Sequence, residues 1–357
     1  MTHLTFKLAL PLLFCAAPLA VDACTGISLQ AQDHSQIVAR SIEWGASELS
    51  TQIILVPPKE HVQTRVAEGK AMDYTTRFGY VGFSIEDKSF VVEGLNEKGL
   101  SAGLFFFPKY GRYPTYDPEK SAKTIGDMYF VGWLLGSFDS VKAVREGLKD
   151  IRLAAVMAEA GTVHFRVADR SGEQIVIEVV DGQMQIFNNP LGVLTNSPGF
   201  QWHLTNLNNY MNWQTGALKD RPFGAIALSQ FGMGAGLHGL PGDISGPSRF
   251  VRAAVMQTTA PALATAQEAV LYSFKILNAF EIPIGLEMNP GEEKSPILSA
   301  TQWSSATDMT NGKLYYRSQH NARIRQIDLK AIDFSRAKAQ AKPLETVTQE
   351  PIEAFRF

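Results

Sequence analysis

The sequence predicts an α+β fold, and three observations carry that prediction. Short runs of alternating or continuous apolar residues come in groups, as antiparallel strands do. Stretches with a helical period fall between those groups, without the regular strand–helix alternation of a doubly wound parallel sheet. In mid-chain, Asp181-Gly182 joins two strand-like runs and is a strong hairpin signal. A hydrophobic fraction of 45% is ample for a packed core. The formal net charge of −2 gives no electrostatic reason to expect nucleic acid or an anionic membrane as partner.

The chain opens with what reads as an export signal, residues 1–23. His3 and Lys7 precede an apolar run over residues 8–20, and Val21-Asp22-Ala23 has small residues at the −3 and −1 positions of a cleavage site. Pro11 and Pro18 interrupt the run, which is shorter than the roughly 20 apolar residues a membrane span needs. No later segment is long or apolar enough to span a bilayer. A periplasmic or secreted protein with no membrane span is expected.

Export makes the cysteines informative. Of the two, Cys15 would leave with the signal and Cys24 would become the first residue. A single cysteine cannot close a disulfide within the chain, so in an exported protein it is a reactive thiol or an attachment point. The α-amine of a leading cysteine, with a reference pKa of about 7.7–8.0, can serve as base for its own sulfur. Two readings stand beside that of a nucleophile. Cys24 could carry the lipid of a lipoprotein, although Val21-Asp22-Ala23 is a poor version of the Leu-Ala-Gly type of sequence that precedes such cysteines. It could also be incidental to the cleavage site.

Strands are expected at residues 25–29, 36–42, 52–56, 80–85 and 89–93. A meander follows: 162–168 and 174–180 through Arg170-Ser171-Gly172, then 184–187 after the Asp181-Gly182 turn. Further strand signals lie at 313–317 and 324–329. Helical patterns occupy 125–135, 140–148 (with Asp139 placed as its cap), 200–213, 248–256 and 264–279. No linker rich in Pro, Gly or Ser divides the chain, so residues 24–336 form one domain. Residues 337–357 turn polar and read as a loosely held tail.

Cys24-Thr25-Gly26 opens the first strand, and Arg40-Ser41-Ile42-Glu43-Trp44 ends the second. Pairing of the two would bring Arg40 or Glu43 near the cysteine. A guanidinium there favours the thiolate, and a carboxylate can hold the terminal ammonium. An ordinary strand-end ion pair accounts equally for the spacing. Gly234-Ala-Gly236-Leu-His-Gly239 satisfies G-x-G-x-x-G, but Leu240-Pro241-Gly242-Asp243 follows it in place of the helix a dinucleotide site requires. The seven histidines show no metal spacing. His203 and His238 fit a site or a satisfied core equally well, and neither a cofactor nor a metal is implied.

Several longer motifs occur in order: Cys24-Thr-Gly; Arg40 with an acidic residue three positions on and a tryptophan after it; Gly192-Val-Leu-Thr-Asn196-Ser-Pro; Asn206-Leu-Asn-Asn-Tyr210; and His238-Gly-Leu-Pro-Gly-Asp243-Ile-Ser-Gly-Pro-Ser-Arg249-Phe250. Together they resemble the choloylglycine hydrolase and penicillin V acylase family, from Cys24 to about Asp328. The resemblance implies a four-layer αββα sandwich of two antiparallel sheets, the N-terminal nucleophile hydrolase fold. It also implies cleavage of a small-molecule N-acyl amide: a conjugated bile acid, penicillin V or, in some members, an acyl-homoserine lactone. Homotetramers are frequent in the family and are expected here on that ground. An exported lipoprotein that uses the fold only for binding is the non-enzymatic alternative.

By the same resemblance Cys24 matches the nucleophile, Arg40 the arginine beside its sulfur, and Arg249 a second arginine near the site. Asn196 matches the asparagine whose amide helps to form the oxyanion hole. Glu43 stands where most members have aspartate, and Phe106 where they have tyrosine or asparagine. Phe106 is expected to give its backbone N–H to the oxyanion and to line the substrate pocket, where Phe105, Phe106 and Phe107 favour an apolar or aromatic acyl group. Strand side chains alternate, so the three cannot all enter one pocket.

Overall fold

The computed structural model describes residues 23–287 and 296–357; the expected signal, up to residue 22 and including Cys15, lies outside the described residues. The main strands are β1 (Cys24–Gln30), β2 (Gln36–Glu43), β3 (Thr51–Val56), β4 (Tyr80–Ile85), β5 (Val91–Asn96), β6 (Leu100–Phe106), β7 (Val163–Asp169), β8 (Gln174–Val180), β9 (Gln183–Asn188), β10 (Thr301–Asp308), β11 (Lys313–Ser318), β12 (Asn321–Asp328) and β13 (Gln340–Pro343). The helices are α1 (Asp127–Ser137), α2 (Val141–Gly147), α3 (Phe200–Asn206), α4 (Gly246–Thr258) and α5 (Ala266–Leu277). One sheet has the order β1-β2-β10-β11-β12, the other β9-β8-β7-β6-β5-β4-β3-β13. With α1 on β5 and β6, and α4 and α5 on the smaller sheet, the layers run αββα.

Local chemistry explains the pieces that frame the site. Asp181 and Gly182 both take positive φ (51° and 75°), as the two-residue turn between β8 and β9 requires. In α1, residues from Asp127 to Gly136 are buried, which suits a helix that is apolar all round. It lies close on β5 because Gly94 has no Cβ; one there would stand 2.6 Å from Leu135 Cδ1. Between the sheets, Phe83 meets Trp303 edge-on at 5.0 Å and Tyr316 at 5.6 Å. Among the described residues no helix is long and apolar enough to cross a membrane.

The structure departs from the sequence reading at five places, the first being β6, which the sequence reading left unassigned. β10, unread in the sequence, is the central strand of the smaller sheet; all eight residues are buried although only Trp303 and Ala306 are apolar. The cap of α2 is Ser140, whose hydroxyl accepts from Ala143 N at 3.3 Å, while Asp139 binds that hydroxyl from outside. The helix expected over 200–213 becomes α3 and then a short 3₁₀ turn, Leu207–Tyr210. Residues 337–357, expected to be loosely held, begin with β13 on the β3 edge, and Leu344 is buried. An edge strand needs only its backbone groups, so polar side chains gave no periodic signal there.

Candidate active site

Cys24 heads β1 and is 3% exposed. The β1–β2 register sets Gly26 opposite Arg40, so the arginine reaches diagonally on the same face to the cysteine. Arg40 Nη2 donates to Cys24 Sγ at 3.0 Å. The rest of the guanidinium is fixed: Nε donates to Ser41 O at 3.2 Å, and Nη1 to Val92 O at 3.3 Å and Leu104 O at 2.5 Å. Phe105 lies under it at 4.1 Å, an approach that depends on Gly26, whose Cβ would stand 2.8 Å from Phe105 Cζ. Glu93 bridges Arg40 at 3.7 Å and Arg166 at 3.4 Å, all three fully buried.

Asn196 arrives on the other side of β1, where Leu194 and Gly26 exchange backbone hydrogen bonds. Its Oδ1 accepts from Cys24 N at 2.9 Å and from Arg249 Nη2 at 2.6 Å. Its Nδ2 donates to Phe106 O at 2.8 Å. An amide nitrogen has two N–H groups, so one remains for a ligand. Arg249, on the first turns of α4, also donates to Cys24 O at 2.5 Å and Thr25 Oγ1 at 2.9 Å. Ahead of that helix, Asp243 accepts from Ser245 and Ser248, and these bonds hold its carboxyl down to about 2.

Phe107 N donates to Thr162 O at 2.8 Å, and the antiparallel alternation then turns the Phe106 N–H and C=O away from β7, toward the Asn196 side. The Phe106 backbone therefore enters the site. The ring does not follow: it packs beside Gly161, which lacks the Cβ that would stand 3.0 Å from it. Strand alternation puts Phe105 and Phe107 on the opposite face, and both are fully buried.

Glu43 ends β2 with its Oε1 accepting from Thr301 Oγ1 at 3.3 Å and its Oε2 unbonded. Burial pushes this carboxyl up to about 7 against the lowering pull of Arg249 and Arg40. The structure thus gathers Cys24, Arg40, Glu43, Asn196, Arg249 and the Phe106 backbone around one point. Of the two histidines singled out, His203 supports the site by donating from Nε2 to Asn196 O at 2.8 Å; burial lowers it to about 4, so it is neutral near pH 7. His238 caps a 3₁₀ turn outside these contacts.

Sequence reasoning missed Glu93, Arg166, the pair His164–Glu178 and Glu287. His164 Nδ1 lies 3.0 Å from Glu178 Oε1 and its Nε2 3.1 Å from Thr195 O, so it braces the segment bearing Asn196. The available signal was a charged or polar residue inside a near-continuous apolar run, as at Glu93 and in the buried strand that carries His164 and Arg166.

The sequence pattern described as linear amide C–N hydrolases, choloylglycine hydrolase family, matches residues 24–342. The chain is 31% identical over 313 residues to a bile salt hydrolase/transferase of Clostridium perfringens (strain 13 / Type A), spanning 86% of this chain and 92% of that protein. Its fold is similar to that of a mutant conjugated bile acid hydrolase from Clostridium perfringens, with a TM-score of 0.80 and 27% identity over 93% of this chain and 100% of the other. A penicillin V acylase from Agrobacterium tumefaciens shares the fold at a TM-score of 0.74 and 21% identity, over 92% of this chain and 95% of that one.

Proposed function

The chain belongs to the choloylglycine hydrolase family and is a linear amide C–N hydrolase, and on that premise we propose that Cys24, freed by removal of residues 1–23, is its nucleophile. The observation that carries the proposal is the double hold on Cys24: sulfur 3.0 Å from Arg40 and backbone nitrogen 2.9 Å from Asn196 Oδ1. Once the Ala23–Cys24 bond is cut, that nitrogen is an amine on the same residue as the thiol. The amine takes the thiol proton, and the sulfur attacks the amide carbonyl carbon. The second N–H of Asn196 Nδ2 and the Phe106 N–H hold the oxyanion. As the intermediate collapses, the new ammonium passes its proton to the leaving amine and a thioester remains. Water, deprotonated by the same amine, releases the acid. Arg40 stabilises charge on the sulfur, while Arg249 fixes Cys24 O and Asn196 Oδ1.

The proposed substrate is a conjugated bile acid or penicillin V, the first carried over from the relatives' names and the second from the motif resemblance. The same chemistry serves an N-acyl-homoserine lactone. Burial of the sulfur against Arg40 supports a nucleophile over a lipid anchor at Cys24. Export to the periplasm or medium, and assembly as a homotetramer, belong to the same proposal. Intact mass of the purified protein should show Cys24 as the leading, unmodified residue. Glycocholate, penicillin V and an acyl-homoserine lactone assayed in parallel then identify the substrate. Cys24→Ala should fold and lose turnover; retained turnover refutes the assignment.

A further inference from the structure

Two buried glutamates flank the peptide that precedes Cys24, Glu43 by its backbone N–H and Glu287 by its carboxyl. Ala23 is 3% exposed, packed with Ile282 and Ala300. Its carbonyl accepts from Glu43 N at 2.8 Å, and its N–H donates to the carboxylate of Glu287. Glu43 and Glu287 are 1% and 4% exposed, and Oε2 of each has no hydrogen-bond partner. The approach of Glu287 is built into the backbone: a Cβ on Gly45 would stand 2.4 Å from Glu287 O. Arg249 acts on both carboxyls, and Asp243, Cys24, Arg40, Arg252 and His203 are further charged or titratable groups acting on Arg249 or Glu43.

Two orphaned carboxylate oxygens in an interior are costly unless a cation meets them. Burial, and then the nearness of Glu43, push Glu287 up to about 8. Cutting the Ala23–Cys24 bond supplies a cation at that place, and removal of Ala23 withdraws the N–H that Glu287 was accepting. We infer that Glu287 is a positioning residue of the reaction, forming with Glu43 a two-carboxylate cradle for the α-ammonium of Cys24. The inference rests on Cys24 being the leading residue of the active enzyme. In the cradle the thiol proton moves from Sγ to the amine nitrogen, the carboxylates accept hydrogen bonds from the resulting ammonium, and that proton later leaves with the product amine. The carboxylates themselves take up no proton in this sequence.

Because the mature chain holds a single cysteine, enzyme labelled with ¹⁵N-cysteine reports on this one nitrogen. An amine resonance in wild type establishes the leading position of Cys24; a backbone-amide resonance in active enzyme would overturn that reading and the cradle with it. In Glu287→Gln the amine should titrate about one pH unit lower, since an opposite charge at this range raises an amine by about that much or more. The acid limb of kcat/KM should move down by the same amount, and Glu287→Asp should restore most of the shift. Gly45→Ala, which displaces the Glu287 backbone, should shift the limb the same way and supplies the measurement if Glu287→Gln does not fold. An amine resonance with an unchanged midpoint in folded variants overturns the cradle and leaves the nucleophile standing.

Discussion

Asn196→Ala removes a side chain bonded in three directions: to Cys24 N, to Arg249 Nη2 and to Phe106 O. All three partners are left buried with a lost bond, and an orphaned buried polar group costs about 1–3 kcal/mol. Unfolding free energy should therefore fall by at least about 3 kcal/mol, read from urea denaturation. The kinetic loss is a separate quantity. The N–H not used by Phe106 O is the proposed oxyanion donor, and loss of one such donor costs about 10²–10³ in kcat. Asn196→Asp separates the two effects. Its carboxylate still accepts from Cys24 N and Arg249, so stability should suffer less, yet it has no N–H to offer. Steady-state kinetics on the amide that wild type cleaves should show kcat falling about as far in both variants, with little change in KM. An Asn196→Asp enzyme within about threefold of wild-type kcat would refute the side-chain oxyanion donor and leave Asn196 a scaffold.

Arg40→Lys keeps the charge but cannot reproduce a fork that reaches Sγ, Leu104 O and Val92 O together; kcat/KM should fall at least about tenfold, and a wild-type value would show that guanidinium shape is irrelevant. Gly26→Ala places a methyl 2.8 Å from Phe105 Cζ and 3.0 Å from Arg166 Nη1, so thermal denaturation should show a loss of about 1–3 kcal/mol. Burial drives Asp127 up to about 6 despite hydrogen bonds from Val156, Tyr113 and Met128. The folded protein then keeps that proton to a higher pH than the unfolded chain, so its stabilising contribution is complete below about pH 4 and is lost as pH rises through about 6. Asp127→Asn retains an acceptor for Met128 N and Val156 N and should flatten the fall in unfolding free energy between those pH values; an unchanged slope counts against this origin.

How much of the site could be read in the sequence depends on how each residue is brought to Cys24. Arg40 and Glu43 come on the neighbouring strand of a local hairpin, so alternation and a short connection were enough to place them. Asn196 and Arg249 lie 172 and 225 residues from Cys24, and only motif resemblance pointed to them. β10 went unread because Ser304, Ser305 and Thr307 are buried as a central strand without any alternation of polarity. Glu287 had no signal: what marks it is the approach to Gly45 and Ala23, a contact made by folding alone. The three phenylalanines show the converse, where strand alternation limited how many could share a face: Phe105 and Phe107 lie on one side of their strand and Phe106 on the other.

Arg40, Arg166 and Arg249 are each no more than 2% exposed, and Glu43, Glu93 and Glu287 face them from within the same interior. Stability alone does not favour this arrangement, since well-packed apolar residues commonly replace buried ion pairs at no loss. On the proposed mechanism the Cys24 sulfur carries negative charge away from water, and the requirement is then different: the compensating charge has to be fixed before the substrate arrives, or reorganisation becomes part of the barrier. Arg166 illustrates the point, because it does not touch Cys24. It donates to Ala39 O at 3.1 Å and pairs with Glu93, which in turn faces Arg40. The electrostatics at the sulfur are thus anchored in β5 and β7 as well as in β1 and β2. A two-sheet sandwich can supply that anchoring where a single sheet with one solvated face cannot, because both partners of each charge stand on strands paired on both sides within the interior.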